Sequence, residues 1–286
     1  MSGRRTKVIE VMTMMMGLSY FGINFARAEA VAPDTQPWEK FGVSAGAFIT
    51  DTDSSVRVGS GLGVDVDLEK ALGMESKNSV FRADADWRFS QNRKHRLDLS
   101  WFALHRSANR QIGQDFDITD SNGNTTTIQA GSQVASRFNL DIIETAYSYS
   151  FLQDDRVDLA AVFGLYVMPI KFGLQASGAG NAETSLNFSA PLPVLGFRMD
   201  LALTPKWFVR SGYQFLYVQY EGFVGKVIEV RGALEYLPFK HVGFGLGYDT
   251  LRASLSGRSN QYPGVNLDGS VQFQYTGLQL YGKFFF

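Results

Sequence analysis

The chain has 286 residues, of which 45% are hydrophobic, 19% charged and 14% aromatic, with 29 Gly, no Cys and a formal net charge of −1. The lack of Cys excludes a disulfide scaffold and a thiolate metal site, and the near-neutral charge removes the electrostatic footprint of a nucleic-acid binder. Abundant aromatics and glycines with few charges suit a membrane barrel, whose inner face is polar.

Arg4, Arg5 and Lys7 lead, past Glu10, into an uncharged run over 11–26, followed by Ala26-Arg27-Ala28 and Ala28-Glu29-Ala30. This layout predicts a signal peptide over 1–30, cleaved after Ala28 or Ala30. Residues 31–39 hold two Pro and are expected to form a flexible mature N-terminus. The best remaining candidate for a membrane helix, 159–170, is 12 residues long and contains Gly and Pro. That is too short to span, so any insertion must use strands.

From residue 41 onward the chain alternates. In Phe81-Arg82-Ala83-Asp84-Ala85-Asp86-Trp87-Arg88-Phe89 one face is apolar and the other carries only charges. Period two means a strand with two unlike sides. The same pattern predicts strands near 41–50, 79–90, 94–110, 135–152, 157–168, 194–204, 206–220, 226–238, 242–257 and 269–286. Ten strands is an even number and leaves both barrel ends in the periplasm. Segment 54–76 is ambiguous, and eight or twelve strands also fit. There Val56 and Val58 can pair back onto 41–50 as an outer hairpin, while 67–73 reads as a short helical turn.

The connections sort by length. Ser90–Lys94, Gln153–Arg156, Thr204-Pro205-Lys206 and Pro238–His241 are short and polar, whereas 111–134, 169–193 and 258–269 are long. Short turns on one side and long loops on the other is the asymmetry of outer-membrane barrels, with the short side periplasmic. Pro avoids strand interiors. Pro169, Pro191 and Pro193 are therefore expected where two strands leave the membrane, with a loop between them. A one-residue slip of the 79–90 strand would turn Arg82 and Arg88 into lipid, at roughly 2–4 kcal/mol each near the midplane. The expected fold is thus all-β: one up-and-down antiparallel transmembrane β-barrel over 40–286.

The chain ends Leu278-Gln279-Leu280-Tyr281-Gly282-Lys283-Phe284-Phe285-Phe286, with Leu278, Leu280, Phe284 and Phe286 on one face. A terminal Phe after alternating apolar residues resembles the insertion signal of Gram-negative outer-membrane β-barrel proteins; Gly282 stands where that pattern has an apolar residue. The resemblance covers roughly 40–286. Segments Leu68–Gly73 and His241–Tyr248 look like those of a small porin-like group. It implies an outer-membrane location, contact with membrane lipid and lipopolysaccharide, and recognition of the last strand by the barrel-assembly machinery. A monomer is expected, and neither a cofactor nor a metal.

Inward positions would be Arg82, Asp84, Asp86, Arg88, Arg96, Asp98, Glu144, Asp158, Arg198, Asp200, Arg210, Glu229, Arg231, Glu235 and Lys283, seven basic and eight acidic. Near-balance points to mutual pairing, since buried charges need partners. Wide aqueous channels need about 16 strands, so a ten-stranded lumen is either plugged or a narrow pore for small polar solutes. Gly196, Gly212, Gly243, Gly245 and Gly247 also face inward and would leave room.

Other chemistry is thinly represented. His105 with Ser107 two residues on could serve a lipid-active hydrolase if an acid approached, but there is no G-x-S-x-G or HExxH. Asp51, Asp53, Asp65, Asp67 and Glu69 form one acidic loop cluster, and Asp115, Asp117 and Asp120 another. Both read as solvated carboxylates; Asp120-Ser121-Asn122-Gly123 fails the full calcium-loop pattern, and Asn122-Gly123 reads as a hairpin turn. Gly59, Gly61 and Gly63 precede no nucleotide-binding helix. The expected function is a structural or narrow-pore role in the bacterial outer membrane. A lipid-active enzyme using His105 and a secreted soluble β protein stand as alternatives.

Overall fold

The computed structural model describes residues 37–58, 65–119, 125–177, 182–220, 222–258 and 267–286. The expected signal peptide, most of 31–39, the Gly59–Gly63 run and the Asn122-Gly123 turn lie outside them. Thirteen strands run through the described residues: β1 (Phe41–Val58), β2 (Val66–Asp67), β3 (Lys77–Arg88), β4 (His95–Gln111), β5 (Phe116–Thr119), β6 (Thr125–Ile128), β7 (Gln133–Gln153), β8 (Val157–Ser177), β9 (Ala182–Ala202), β10 (Trp207–Tyr220), β11 (Phe223–Tyr236), β12 (Val242–Arg258) and β13 (Asp268–Phe285). Ten of them form a closed ring in the order β1-β3-β4-β7-β8-β9-β10-β11-β12-β13. The seam pairs β1 with β13 from Gly42↔Phe285 to Val58↔Gly269. Among the described residues no helix is long and apolar enough to cross a membrane.

The tight turns at 89–94, 154–156, 203–206 and 237–241 all lie at the end that holds both Phe41 and Phe286, where Lys40 N–H donates to Phe286 O at 2.6 Å. At the opposite end β2 folds back on Ser55 and Val56 of β1. Between β4 and β7, β5 and β6 pair as a separate hairpin. Val56 and Val58 do not pair back onto 41–50: they extend the same strand and pair with β13. The turn after β2 is helical, with Ala71 N–H on Asp67 O and Gly73 N–H on Glu69 O, and it ends at Gly73 with φ 72°. That left-handed cap is what Gly allows without strain.

The 169–193 loop is also corrected. β8 and β9 continue as one hairpin and pair from Val157↔Leu201 to Ala176↔Ala182. Pro is tolerated because ladder partners are missing beside it. β10 pairs with β9 only from Leu195 to Ala202, so Pro191 and Pro193 face no β10 partner. The β7–β8 register skips from Leu140↔Ile170 to Ile143↔Val167, leaving Pro169 outside it.

Polarity inverts along each strand. Toward the tight turns the outward side chains are large and apolar: Phe163 and Leu165 on β8, Leu195, Phe197 and Met199 on β9, Phe244, Leu246 and Tyr248 on β12. Farther out the same outward face turns polar, with Lys171 and Gln175 on β8, Asn187 and Ser185 on β9, and Arg252 and Ser254 on β12. The inward face does the reverse. It begins charged and ends in a core that includes Phe138, Leu140, Ile170, Phe172, Leu186, Phe188, Leu251, Leu255, Val271 and Phe273. The long ring strands such as β8, β9 and β12 therefore spend about 9–11 residues as membrane strands and the remainder as the wall of a water-facing β-domain.

Candidate functional site

The alternation that faces apolar residues to lipid must send every intervening residue into the lumen. The structure places all fifteen predicted inward charges there, on β3, β4, β7, β8, β9, β10, β11 and β13. Asp200 is the hub: Arg88 (3.3 Å), Arg96 (3.3 Å), Arg210 (3.0 Å) and Arg198 all reach it. Arg88 and Arg198 also share Asp158, at 2.8 and 3.1 Å. Arg96 pairs with Asp98. On the far wall Arg231 holds Glu144 and Glu229, and Gln214 donates to Glu144 at 2.6 Å. Arg82 binds Asp84 at 3.0 Å, and Gln279 donates to Asp84 from the other side. Lys283 meets Glu235 at 3.1 Å and approaches Asp86 at 3.9 Å. Among the described residues no luminal charge is left alone, which is the condition for keeping charges out of water.

Two members escaped the sequence reading. Asp249, buried, accepts from Arg82 Nη1 at 2.5 Å. Its parity was available, because it follows Gly243, Gly245 and Gly247 on the inward face of β12. Glu39 lies before β1, in the segment expected to be flexible. Its carboxylate accepts from Arg210 Nη2 at 2.6 Å and from Lys283 Nζ at 2.6 Å. Beside it Trp38 is fully buried, its indole N–H donating to Asp154 O at 2.7 Å. Arg93 donates to Trp38 O at 2.6 Å, and the Trp38 ring packs edge-on against Phe208. Residues 37–40 thus form a stopper at the tight-turn mouth. No alternation marks them, so no pattern could have placed them inward.

Gly196, Gly243 and Gly245 do not leave room, whereas Gly212 and Gly247 line open space. A Cβ on Gly245 would lie 2.1 Å from the Tyr281 ring, whose hydroxyl donates to Glu235 at 3.0 Å. At Gly196 the obstacle is backbone, with Tyr213 O 2.0 Å away. These positions are glycines because neighbours occupy the space a side chain would need. What stays open is a chamber of about 170 Å³ lined by residues such as Ser44, Asp84, Arg231 and Asp249. Its ceiling is three rings, Phe48, Phe102 and Tyr275, packed edge to face with centroids 5.2, 5.6 and 5.4 Å apart. Arg82 lies over Phe48 and Phe102 at 5.2 and 5.3 Å, so the change from ionic to apolar filling happens across one layer.

The other predicted positions fall outside the lumen. Leu278, Leu280, Phe284 and Phe286 are exposed on the apolar belt, and nothing would touch a Cβ at Gly282. His105 and Ser107 face outward beyond the belt. His105 Nε2 is 3.1 Å from Asp141 Oδ1, and no hydrogen bond joins it to Ser107. Asp65 is taken by Arg57 at 2.8 Å. Glu69 accepts from Ser54 N–H at 2.9 Å and from Arg106. Among the described residues no group of carboxylates or His is arranged to hold a metal ion.

A soluble β protein would hide its large apolar residues. Here Phe81, Trp87 and Phe197 are 57%, 49% and 59% exposed around the outside, while Arg88 and Asp158 are fully buried inside. That is the inversion of a protein whose solvent is lipid, and it overturns the secreted soluble alternative. A closed antiparallel ring with this polarity has the fold of an outer-membrane β-barrel.

A solved structure agrees in fold. The outer-membrane protease OmpT from Escherichia coli superposes with a TM-score of 0.52 at 11% identity, covering 90% of this chain and 99% of its own. The Neisserial surface protein NspA matches with a TM-score of 0.33 at 12% identity, over 86% of this chain and 97% of its own. The Pseudomonas putida toluene transporter TodX gives 0.35 at 9%, over 88% and 90%. At 11% identity the likeness to OmpT is one of fold. No protein-family model and no curated protein matches the chain.

Proposed function

We propose that this chain is a closed, monomeric outer-membrane barrel with a structural role: it anchors an extracellular β-domain and conducts no solute at rest. The observation that carries this reading is the filling of the lumen at both levels. The Trp38–Glu39 stopper occupies the inner mouth, and the outer half is a packed apolar core in which Phe138 and Leu140 are at most 1% exposed. A polar solute entering from outside would have to displace that core. The ion-paired layer beneath then acts as a rigid strut, with Asp158, Asp200, Glu144 and Glu235 each tying side chains of two or more strands together.

A narrow-pore reading draws support from the polar chamber, which already lies between the two seals. Planar-bilayer recording on the purified protein separates the two. The structural reading expects no conductance steps with any small ion; reproducible steps in the wild-type chain would replace it with the pore. We also read the outward row Leu278, Leu280, Phe284 and Phe286 as the contact for the assembly machinery. Phe286→Ala, which keeps the backbone hydrogen bonds to Lys40 and Phe41, should lower the folded, heat-modifiable fraction in cells while leaving refolding from urea into micelles nearly unchanged.

A further inference from the structure

We infer that the outward wall of β4, β7 and β8, just beyond the apolar belt, is a binding site for the phosphate groups of an outer-leaflet glycolipid, held by Arg137 and Lys171 with His105 at its edge. The inference rests on the membrane placement of the barrel and not on whether its lumen conducts.

Three adjacent strands bring these cations together. His105 pairs across from Asn139, and Ser107 from Arg137. On the other side Asn139 pairs with Lys171 and Arg137 with Gly173. Arg137 is therefore diagonal to both other cations, a separation of about 7–8 Å and somewhat less between Cβ atoms. All three are exposed, and each alternates with fully or nearly buried neighbours such as Leu104, Phe138 and Ile170, so each points outward.

What distinguishes this wall is the absence of compensation. Every luminal cation has a carboxylate, and elsewhere on the outer wall Lys77 sits across from Asp51. Arg252 donates to Gln274 at 2.8 Å, and Lys226 lies over the Tyr217 ring at 5.3 Å. Among the described residues Arg137 faces Ser107 and Gly173, Lys171 faces Asn139 and Asn187, and neither has an ion pair or hydrogen bond. The one carboxylate within the patch, Asp141, is engaged by His105 at 3.1 Å. Farther out, Glu183 accepts from Gln175.

Height selects the partner. His105 stands four residues beyond Trp101, and Lys171 four beyond Val167, a climb of roughly 10 Å after a strand tilt of about 40°. Long cationic side chains can bend several Å back toward the apolar boundary. At that depth the anions available to a lateral wall are the phosphates on lipid headgroups. Arg offers them a planar fork and Lys a point charge.

The test titrates the purified full chain in micelles with a bisphosphorylated, acylated disaccharide glycolipid, and counts bound lipid by native mass spectrometry. Each cation near an anionic lipid surface contributes about fivefold, so Arg137→Gln with Lys171→Gln should weaken binding about 30-fold. Unchanged heat-modifiable migration would show that the double variant folds. Arg137→Lys should keep most of the affinity, Lys77→Gln should bind like wild type, and the dephosphorylated lipid should bind as weakly as the double variant. Equal binding of the dephosphorylated lipid, wild-type affinity in the double variant, or an equal loss in Lys77→Gln would each overturn the site. Displacement by equimolar inorganic phosphate would reassign it to the free anion.

Discussion

Four guanidinium groups, from Arg88, Arg96, Arg198 and Arg210, converge on the single carboxylate of Asp200, which is 1% exposed. Breaking a buried pair costs about 3–5 kcal/mol because the partner charge is left behind. Asp200→Asn, which leaves four, should sit at the top of that range, read as a lowered urea midpoint in micelles. Glu39 carries a pH signature. Burial pushes its carboxyl up, but Arg210, Lys283 and Arg88 outweigh burial and hold it well below the ordinary 4.5. A depressed folded value means the stabilisation is present in full above about pH 4.5 and is lost as pH falls from there toward the folded value. Stability profiles of wild type and Glu39→Gln should therefore differ at neutral pH and converge in acid. Gly196→Ala drives a methyl into the Tyr213 carbonyl, which cannot turn aside as a side chain would. About 3 kcal/mol or more is expected, against little for alanine at Gly282, where nothing lies within 4 Å.

The strand is the scale at which polarity inverts, and β9 offers the sharpest test. Phe197 and Asn187 both point outward ten residues apart on one strand. Phe197→Arg puts a charge into hydrocarbon and should cost about 2–4 kcal/mol; Asn187→Arg should be neutral within about 0.5 kcal/mol. Inward, Phe172→Ala should cost about 3–5 kcal/mol, as in any packed core. Equal losses at Phe197 and Asn187 would mean the belt is misplaced. The membrane halves of the strands were legible in the sequence because strict alternation of apolar and charged residues fits a two-faced strand and no helix. The outer halves of β4, β7, β12 and β13 were legible too, because the period persists where the phase reverses; those of β1, β8 and β9 were missed. In β13 apolar residues occupy 271, 273 and 275, then 278 and 280, with Gly277 at the switch. In β8 and β9 it was Pro169, Pro191 and Pro193 that made the outer halves read as loop. Their missing hydrogen bonds matter only where a ladder partner exists, which depends on β10 ending early and so on tertiary structure. The luminal charges followed from parity alone. Glu39 did not, since a segment outside the alternation is placed by its partners and not by its pattern.

For the molecule as a whole, the decisive property is that one ring of strands serves two solvents and is stoppered at both levels. Between the Trp38–Glu39 stopper and the Phe48–Phe102–Tyr275 layer lies the polar chamber, and Ser44 is among its lining residues. The chain contains no Cys, so Ser44→Cys places a unique thiol inside it. A membrane-impermeant maleimide should label that thiol slowly from either side of oriented vesicles. Adding Trp38→Ala removes a fully buried ring whose loss costs about 3–5 kcal/mol in a packed site. If local opening of residues 37–40 governs access, periplasmic labelling should rise by at least about 100-fold and up to about 4,000-fold, since each 1.4 kcal/mol is roughly a factor of ten. Labelling from outside should not change, because the aromatic ceiling is intact. Phe48→Ala should do the opposite by loosening that ceiling. Acceleration from both sides in either variant would mean that the chamber is one continuous passage with no independent seals, and the two-level account would fail with it.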